Sequence, residues 1–124
     1  MESNFQSNVK ACLQDEGAWA YVTHNPLQQG IPDIHAVLNG NAIWLELKYT
    51  ENFPSLPHPL SPQQSKRLRD IYRAGGCSGV LVGAPEGCCF VEASELSPGA
   101  THRVDGDLQP LKTWISKLAK DGSI

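Results

Sequence analysis

What this chain of 124 residues lacks narrows its identity quickly. No stretch approaches the roughly 20 apolar residues of a membrane span, and Met1-Glu2-Ser3-Asn4 is not a basic segment leading into an apolar one. The expectation is a soluble, cytoplasmic protein with no membrane partner. No CxxC pair occurs among Cys12, Cys77, Cys88 and Cys89, which leaves reduced, partly buried thiols. A zinc site built from Cys88 or Cys89 with His58 and His102 would match no finger or knuckle spacing. Internal repeats and low-complexity tracts are also missing, so residues 1–124 are expected to form one domain around a single core.

A basic excess is lacking too. The net charge is −3, unusual for a protein that binds nucleic acid. The balance is uneven along the chain, however. Lys66, Arg67, Arg69 and Arg73 against a lone Asp70 make residues 61–73 locally basic, either as a DNA-facing stripe or as a solvated helix face.

The residues present say more. Asn39-Gly40 between two apolar-rich runs is a strong hairpin signal, because both residues accept the positive φ of a type I′ turn. With those two as the loop, Leu38 faces Asn41 and Asp33 lies opposite Glu46. Alternation then puts Asp33, His35, Trp44, Glu46 and Lys48 on one face and Ile34, Ala36, Leu38, Ile43, Leu45 and Leu47 on the other. The second set is core, and the first carries charge.

Opposed side chains have Cβ atoms roughly 4.5–5.5 Å apart, where two carboxylates repel unless a cation lies between them. Carboxylate oxygens suit a hard ion such as Mg²⁺, which keeps several waters and leaves room for substrate phosphate. Lys48 adds a positive charge that would either help activate a water or stabilise charge on a phosphate. Two acids, a divalent ion and a lysine point to phosphodiester hydrolysis. The plain alternative is a solvated polar face on which Lys48 simply pairs with Glu46.

Elsewhere, Ser3 and Gln6 resemble a capping box for a helix with Phe5, Val9, Cys12 and Leu13 at helical spacing, ending at Gly17. Residues 18–23 read as a strand, and 24–30 as a loop broken by Pro26 and Gly30. Pro54, Pro57 and Pro59 make residues 50–60 an extended connection, where Phe53, Leu56 and His58 either touch a ligand or fold back onto the core. Ser61, Pro62 and Gln64 start a helix that runs to about residue 74. Its Gln64, Leu68, Ile71, Tyr72 and Gly75 share a face, which turns Gln64 toward the strand carrying Glu46 and Lys48. Gln64 thus has two competing roles, site residue and capping partner of Ser61. Residues 79–83 read as a buried strand reached by a crossover, and 88–93 as another. Leu111, Trp114, Ile115 and Leu118 give a closing amphipathic helix with Lys112, Lys117 and Lys120 outside. The order α-β-β-β-α-β-β-α describes an α/β protein with a mixed β-sheet flanked by helices.

The order Pro-Asp, a strand-length gap, then Glu-x-Lys resembles the PD-(D/E)xK nuclease signature. The wider string Gly30-Ile31-Pro32-Asp33, Asn39-Gly40, Glu46-Leu47-Lys48, Leu60-Ser61-Pro62-Gln63-Gln64 and Ala74-Gly75-Gly76 is similar to the virus-type replication-repair nuclease (VRR-NUC) family, over roughly residues 2 to 92. This resemblance implies a restriction-endonuclease-like core and a DNA endonuclease dependent on Mg²⁺ or Mn²⁺. It implies Asp33, Glu46 and the Leu47 backbone carbonyl as metal ligands, Lys48 as the catalytic cation and Gln64 as a member of the motif set. A further acid is expected near the start of the first helix, where Glu2 is the positional match, with Asp15 and Glu16 as alternatives nearer the first strand. Histidine has no place in the pattern, which leaves His35 as a satisfied or substrate-facing imidazole and gives His24 no role. Stand-alone phage and bacterial modules of this kind act as homodimers on branched DNA. The implied partner is therefore junction DNA, in a bacterial cell or phage-infected host. A nuclease for ends or flaps in repair or defence, and a non-catalytic DNA-binding subunit, are the alternatives.

Overall fold

The computed structural model describes residues 2–23, 30–51, 60–85, 87–96 and 108–121, with 2, 3 and 119–121 described through their backbone alone. His24, the proline-rich connection with Phe53, Leu56 and His58, and His102 lie outside the described residues. The elements are α1 (Glu2–Asp15), β1 (Trp19–Val22), β2 (Ile34–Leu38), β3 (Asn41–Tyr49), α2 (Pro62–Arg73), β4 (Cys77–Ala84), β5 (Gly87–Glu92) and α3 (Gln109–Asp121). A 3₁₀ turn at Ala93–Glu95 follows β5.

The strands form one mixed sheet in the order β1-β2-β3-β4-β5. Only β3 and β4 pair in parallel, and a tight turn cannot join parallel neighbours, so α2 makes the crossover between them. The hairpin has the anticipated turn, with φ 51° at Asn39 and 81° at Gly40. Its register runs from Leu38 opposite Asn41 to Ile34 opposite Leu45, as the turn requires.

Both faces of the sheet are used. Ile34, Ala36, Leu38, Ile43, Leu45 and Leu47 join the main core with residues of α1 and α3. The opposite face holds a smaller core, in which Leu68 of α2 packs on Val80, Val82, Cys89 and Ala93. Cys88 and Cys89 fall on opposite faces, one in each core. Helix α2 therefore covers the β4–β5 side of its face, whereas Trp19, Tyr21 and Val37 on the β1–β2 side remain exposed.

Two details depart from the sequence reading. Helix α1 begins at Glu2, so Ser3 lies inside the helix rather than capping it. Tyr72 is 45 % exposed instead of facing inward, because α2 fully buries only Leu68 and Tyr72 falls at the margin of that narrow stripe. The start of α2 matches its signal. Ser61 Oγ accepts from the Gln64 N–H at 3.1 Å while Gln64 Oε1 accepts from the Ser61 N–H at 3.0 Å.

Gly30 shows how the chain reaches Asp33. Its φ is +85°, and a Cβ there would lie 3.2 Å from both the Gln63 carbonyl oxygen and Arg67 Cγ. The strand-entry segment thus passes directly against the first turns of α2, in a conformation that favours glycine. Gly30→Ala is expected to cost about 1–3 kcal/mol in urea denaturation, from backbone strain combined with this contact.

Candidate active site

Glu46 sits within β3 and is only 3 % exposed. Its Oε2 accepts a hydrogen bond from Gln64 Nε2 at 3.0 Å and lies 3.7 Å from Lys48 Nζ. Asp33 stands just before β2, and its Oδ2 accepts the Leu47 N–H at 2.8 Å. That bond takes the place of a ladder bond, since β2 begins only at Ile34. The two backbone groups of a residue in an antiparallel strand face the same neighbour, so the Leu47 carbonyl turns to the same side as Asp33. Asp33, Glu46, Lys48, Gln64 and the backbone of residue 47 are thereby brought together.

The electrostatics follow from this packing. Burial, and next the negative charge of Asp33, push Glu46 from its ordinary 4.5 up to about 8, with Lys48 opposing the shift. At neutral pH the isolated site therefore keeps a proton on Glu46. The carboxylate and carbonyl oxygens are hard donors of the kind a divalent ion takes, with the Lys48 ammonium beside them. Among the described residues, which exclude the Glu2 side chain, no three His, Cys, Asp or Glu side chains converge.

Gln64 resolves its two competing roles by filling both. Its Oε1 closes the capping box and its Nε2 holds Glu46, so one amide uses opposite ends for the helix start and for the acid. The cap also fixes which end of the amide faces Glu46.

No protein-family model and no curated protein sequence matches the chain. Solved structures do. Hjc, a Holliday junction resolvase from Archaeoglobus fulgidus, superposes with a TM-score of 0.65 at 18 % identity, over 89 % of this chain and 98 % of the resolvase. A VRR_NUC domain structure gives 0.52 at 21 % identity, over 67 % of this chain and 84 % of that one. The fold is restriction-endonuclease-like.

Within this restriction-endonuclease-like frame the remaining expected residues separate. The rings of Phe5 and Tyr49 lie 5.9 Å apart, which brings the early part of α1 to the end of β3 beyond Lys48. Glu2 belongs to this end of α1, and its side chain lies outside the described residues. Asp15 and Glu16 stand at the other end of the helix, about 20 Å away at 1.5 Å per residue. They line a pocket of about 540 Å³ with Phe5, Cys12 and Lys112, away from Asp33 and Glu46, and do not join the site. Lys66, Arg67, Arg69 and Arg73 are exposed along α2, with Lys66 engaged by Asp70 at 2.7 Å. Burial raises the Cys12, Cys77 and Cys89 thiols, Cys89 to about 11.

His35, expected as a satisfied or substrate-facing imidazole, stands among rings. Its ring stacks 4.0 Å from that of Trp44 and meets Trp19 edge-on at 5.8 Å. Nδ1 is buried with no hydrogen-bond partner among the described residues, so this nitrogen is not satisfied by a polar contact there. Trp19 and Tyr21 were not singled out from the sequence. Their alternation around Ala20 was the available signal, but the sequence between Val22 and Ile34 is too long for a two-residue turn to set a register.

Two measurements test this electrostatic picture. Glu46 stabilises the fold in its neutral form, fully below about pH 4.5, and that contribution is lost as pH rises toward about 8. Urea melts in EDTA are expected to show wild type losing stability across this window and Glu46→Gln losing less. Asp33→Asn keeps an acceptor for the Leu47 N–H and should fold like wild type. Asp33→Ala strands that N–H and should cost about 1–3 kcal/mol.

Proposed function

We propose that this chain is a divalent-metal-dependent DNA endonuclease that hydrolyses phosphodiester bonds in branched DNA, in the manner of a Holliday-junction resolvase. Residues 1–124 would form a single such domain, acting as a homodimer. The observation that carries the reading is the convergence of Asp33, Glu46, Lys48 and Gln64 where β2, β3 and α2 meet. The likeness in fold to a Holliday junction resolvase and to a VRR_NUC domain lends support.

Asp33, Glu46 and the Leu47 carbonyl would hold Mg²⁺ or Mn²⁺, with Glu2 as a further ligand from the start of α1. When bound, the ion supplies Lewis acidity and lowers the pKa of a water. Gln64 fixes the Glu46 carboxylate through one oxygen. Lys48, two residues along the same face, either orients the attacking water or steadies the charge of the phosphoryl group. The water oxygen bonds to phosphorus and gives up a proton; the opposite P–O bond breaks and its oxygen takes one up. Arg67, Arg69, Arg73 and Lys66 would meet the DNA backbone, a local attraction that the global charge of −3 conceals. A two-fold pair of sites can cut two strands of a nearly symmetric junction, which one site cannot do in a single encounter.

An end- or flap-directed nuclease of repair or defence, and a non-catalytic DNA-binding subunit, are the competing readings. Wild type and Asp33→Asn should be compared on a four-way junction, a flap, a duplex and single-stranded DNA, with Mg²⁺ and with EDTA. The expected result is Mg²⁺-dependent cutting of the junction, lost by at least a hundredfold in Asp33→Asn. Mg²⁺ should also raise the melting temperature of wild type and not that of the variant. Cutting confined to ends or flaps would replace the junction reading, and binding with no cutting anywhere would favour the non-catalytic one.

A further inference from the structure

The side of the sheet that α2 leaves open bears an array of rings. Trp19 and Tyr21 of β1 are 57 % and 54 % exposed, and their rings stack at 6.1 Å with an interplanar angle of 7°. Tyr21 pairs across the ladder with His35, which in turn pairs with Trp44. Trp19 meets His35 at 5.8 Å and His35 stacks on Trp44 at 4.0 Å, so the rings form one connected surface from β1 to β3. Val37, also exposed, extends it along β2.

We propose that this surface is a platform on which unpaired nucleobases of the DNA stack, next to the site where its backbone is cut. The inference rests on the nuclease reading above and adds to it the form of strand that the enzyme holds. Its first support is continuity. His35 and Asp33 are two residues apart on one face, as are Trp44 and Glu46, so the rings begin where the acids end. A strand with its phosphate at Asp33 and Glu46 lays its neighbouring bases over His35 and Trp44, then over Trp19 and Tyr21.

The second support is chemical. The array carries no lysine, arginine or carboxylate side chain, so it gives phosphate no fixed charge to bind and gives bases a π-face. Aromatic side chains on an uncovered sheet face are a general solution for holding unstacked bases, and they are tolerant of sequence. The third is size. Stable protein interfaces take roughly 20–30 residues a side, whereas among the described residues the open patch amounts to Trp19, Tyr21, His35, Val37 and Trp44. It is too small to bind a second copy by itself. A junction centre, a flap or a frayed end supplies the bases.

The test is fluorescence anisotropy of a short labelled oligothymidylate in EDTA, beside an abasic strand of the same length and charge. Wild type is expected to hold the thymidylate more tightly than the abasic strand. Trp19→Ala and Tyr21→Ala should each weaken thymidylate binding on the order of 5- to 100-fold and leave abasic binding nearly unchanged, while Trp19→Phe recovers most of the loss. A 2-aminopurine in the strand should be quenched by wild type and less so by Trp19→Ala. Equal affinity of wild type for the two strands would overturn the proposal, whether or not the protein cuts DNA. Conversion of a dimer to a monomer in sedimentation by Trp19→Ala, with thymidylate affinity intact, would overturn it in favour of a subunit interface. Base- and ring-dependent binding by a wild type that cuts none of the substrates would uphold the platform and remove the nuclease reading alone.

Discussion

The register of one hairpin governs everything else at the site. Two residues with positive φ, Asn39 and Gly40, close the turn between β2 and β3, and from that point every facing pair is fixed. A slip of one residue would send Leu45 and Leu47 to solvent and Glu46 and Lys48 into the main core, so burial enforces what the turn begins. The charged face then inherits its arrangement from the apolar one. Asp33 tightens the end of this frame by taking the Leu47 N–H that β2 is too short to reach.

The burial of Glu46 has two sides. Its desolvation disfavours charge, and Asp33 adds to that, yet the same enclosure lets Gln64 and Lys48 act on it with little competition from water. A carboxyl group held this way is poorly suited to stabilising a folded protein alone. It is well suited to a site completed by a cation, and the fold accepts a local loss of stability to keep it.

Much of this was legible in the chain because it is local. The Asn39-Gly40 turn gave the β2–β3 register and the two faces, and Ser61-Pro62 gave the start of α2. Helical phase alone put Gln64 on the side of Glu46. What the sequence left open depends on longer-range geometry. Eleven residues separate β1 from β2, too many for a two-residue turn to fix the register, so the meeting of Trp19 and Tyr21 with His35 and Trp44 could not be read. Tyr72 shares a helical stripe with Leu68, but how far a helix rolls on its sheet is set by the residues beneath it. Gly30 was visible as a chain breaker; its close approach to Gln63 and Arg67 was not, because that contact spans more than thirty residues. The capping role and the site role of Gln64 looked like rivals only because spacing cannot show that an amide has two usable ends.

The chain-order layout of the sheet bears on how the molecule folds. Three of the four strand pairings are antiparallel, and only the β3–β4 pairing is parallel and needs the α2 crossover. Contacts that close short loops form sooner than those that close long ones. Asp33 and Glu46 are brought together by the short hairpin connection, whereas Gln64 reaches Glu46 through the longer connection that carries α2.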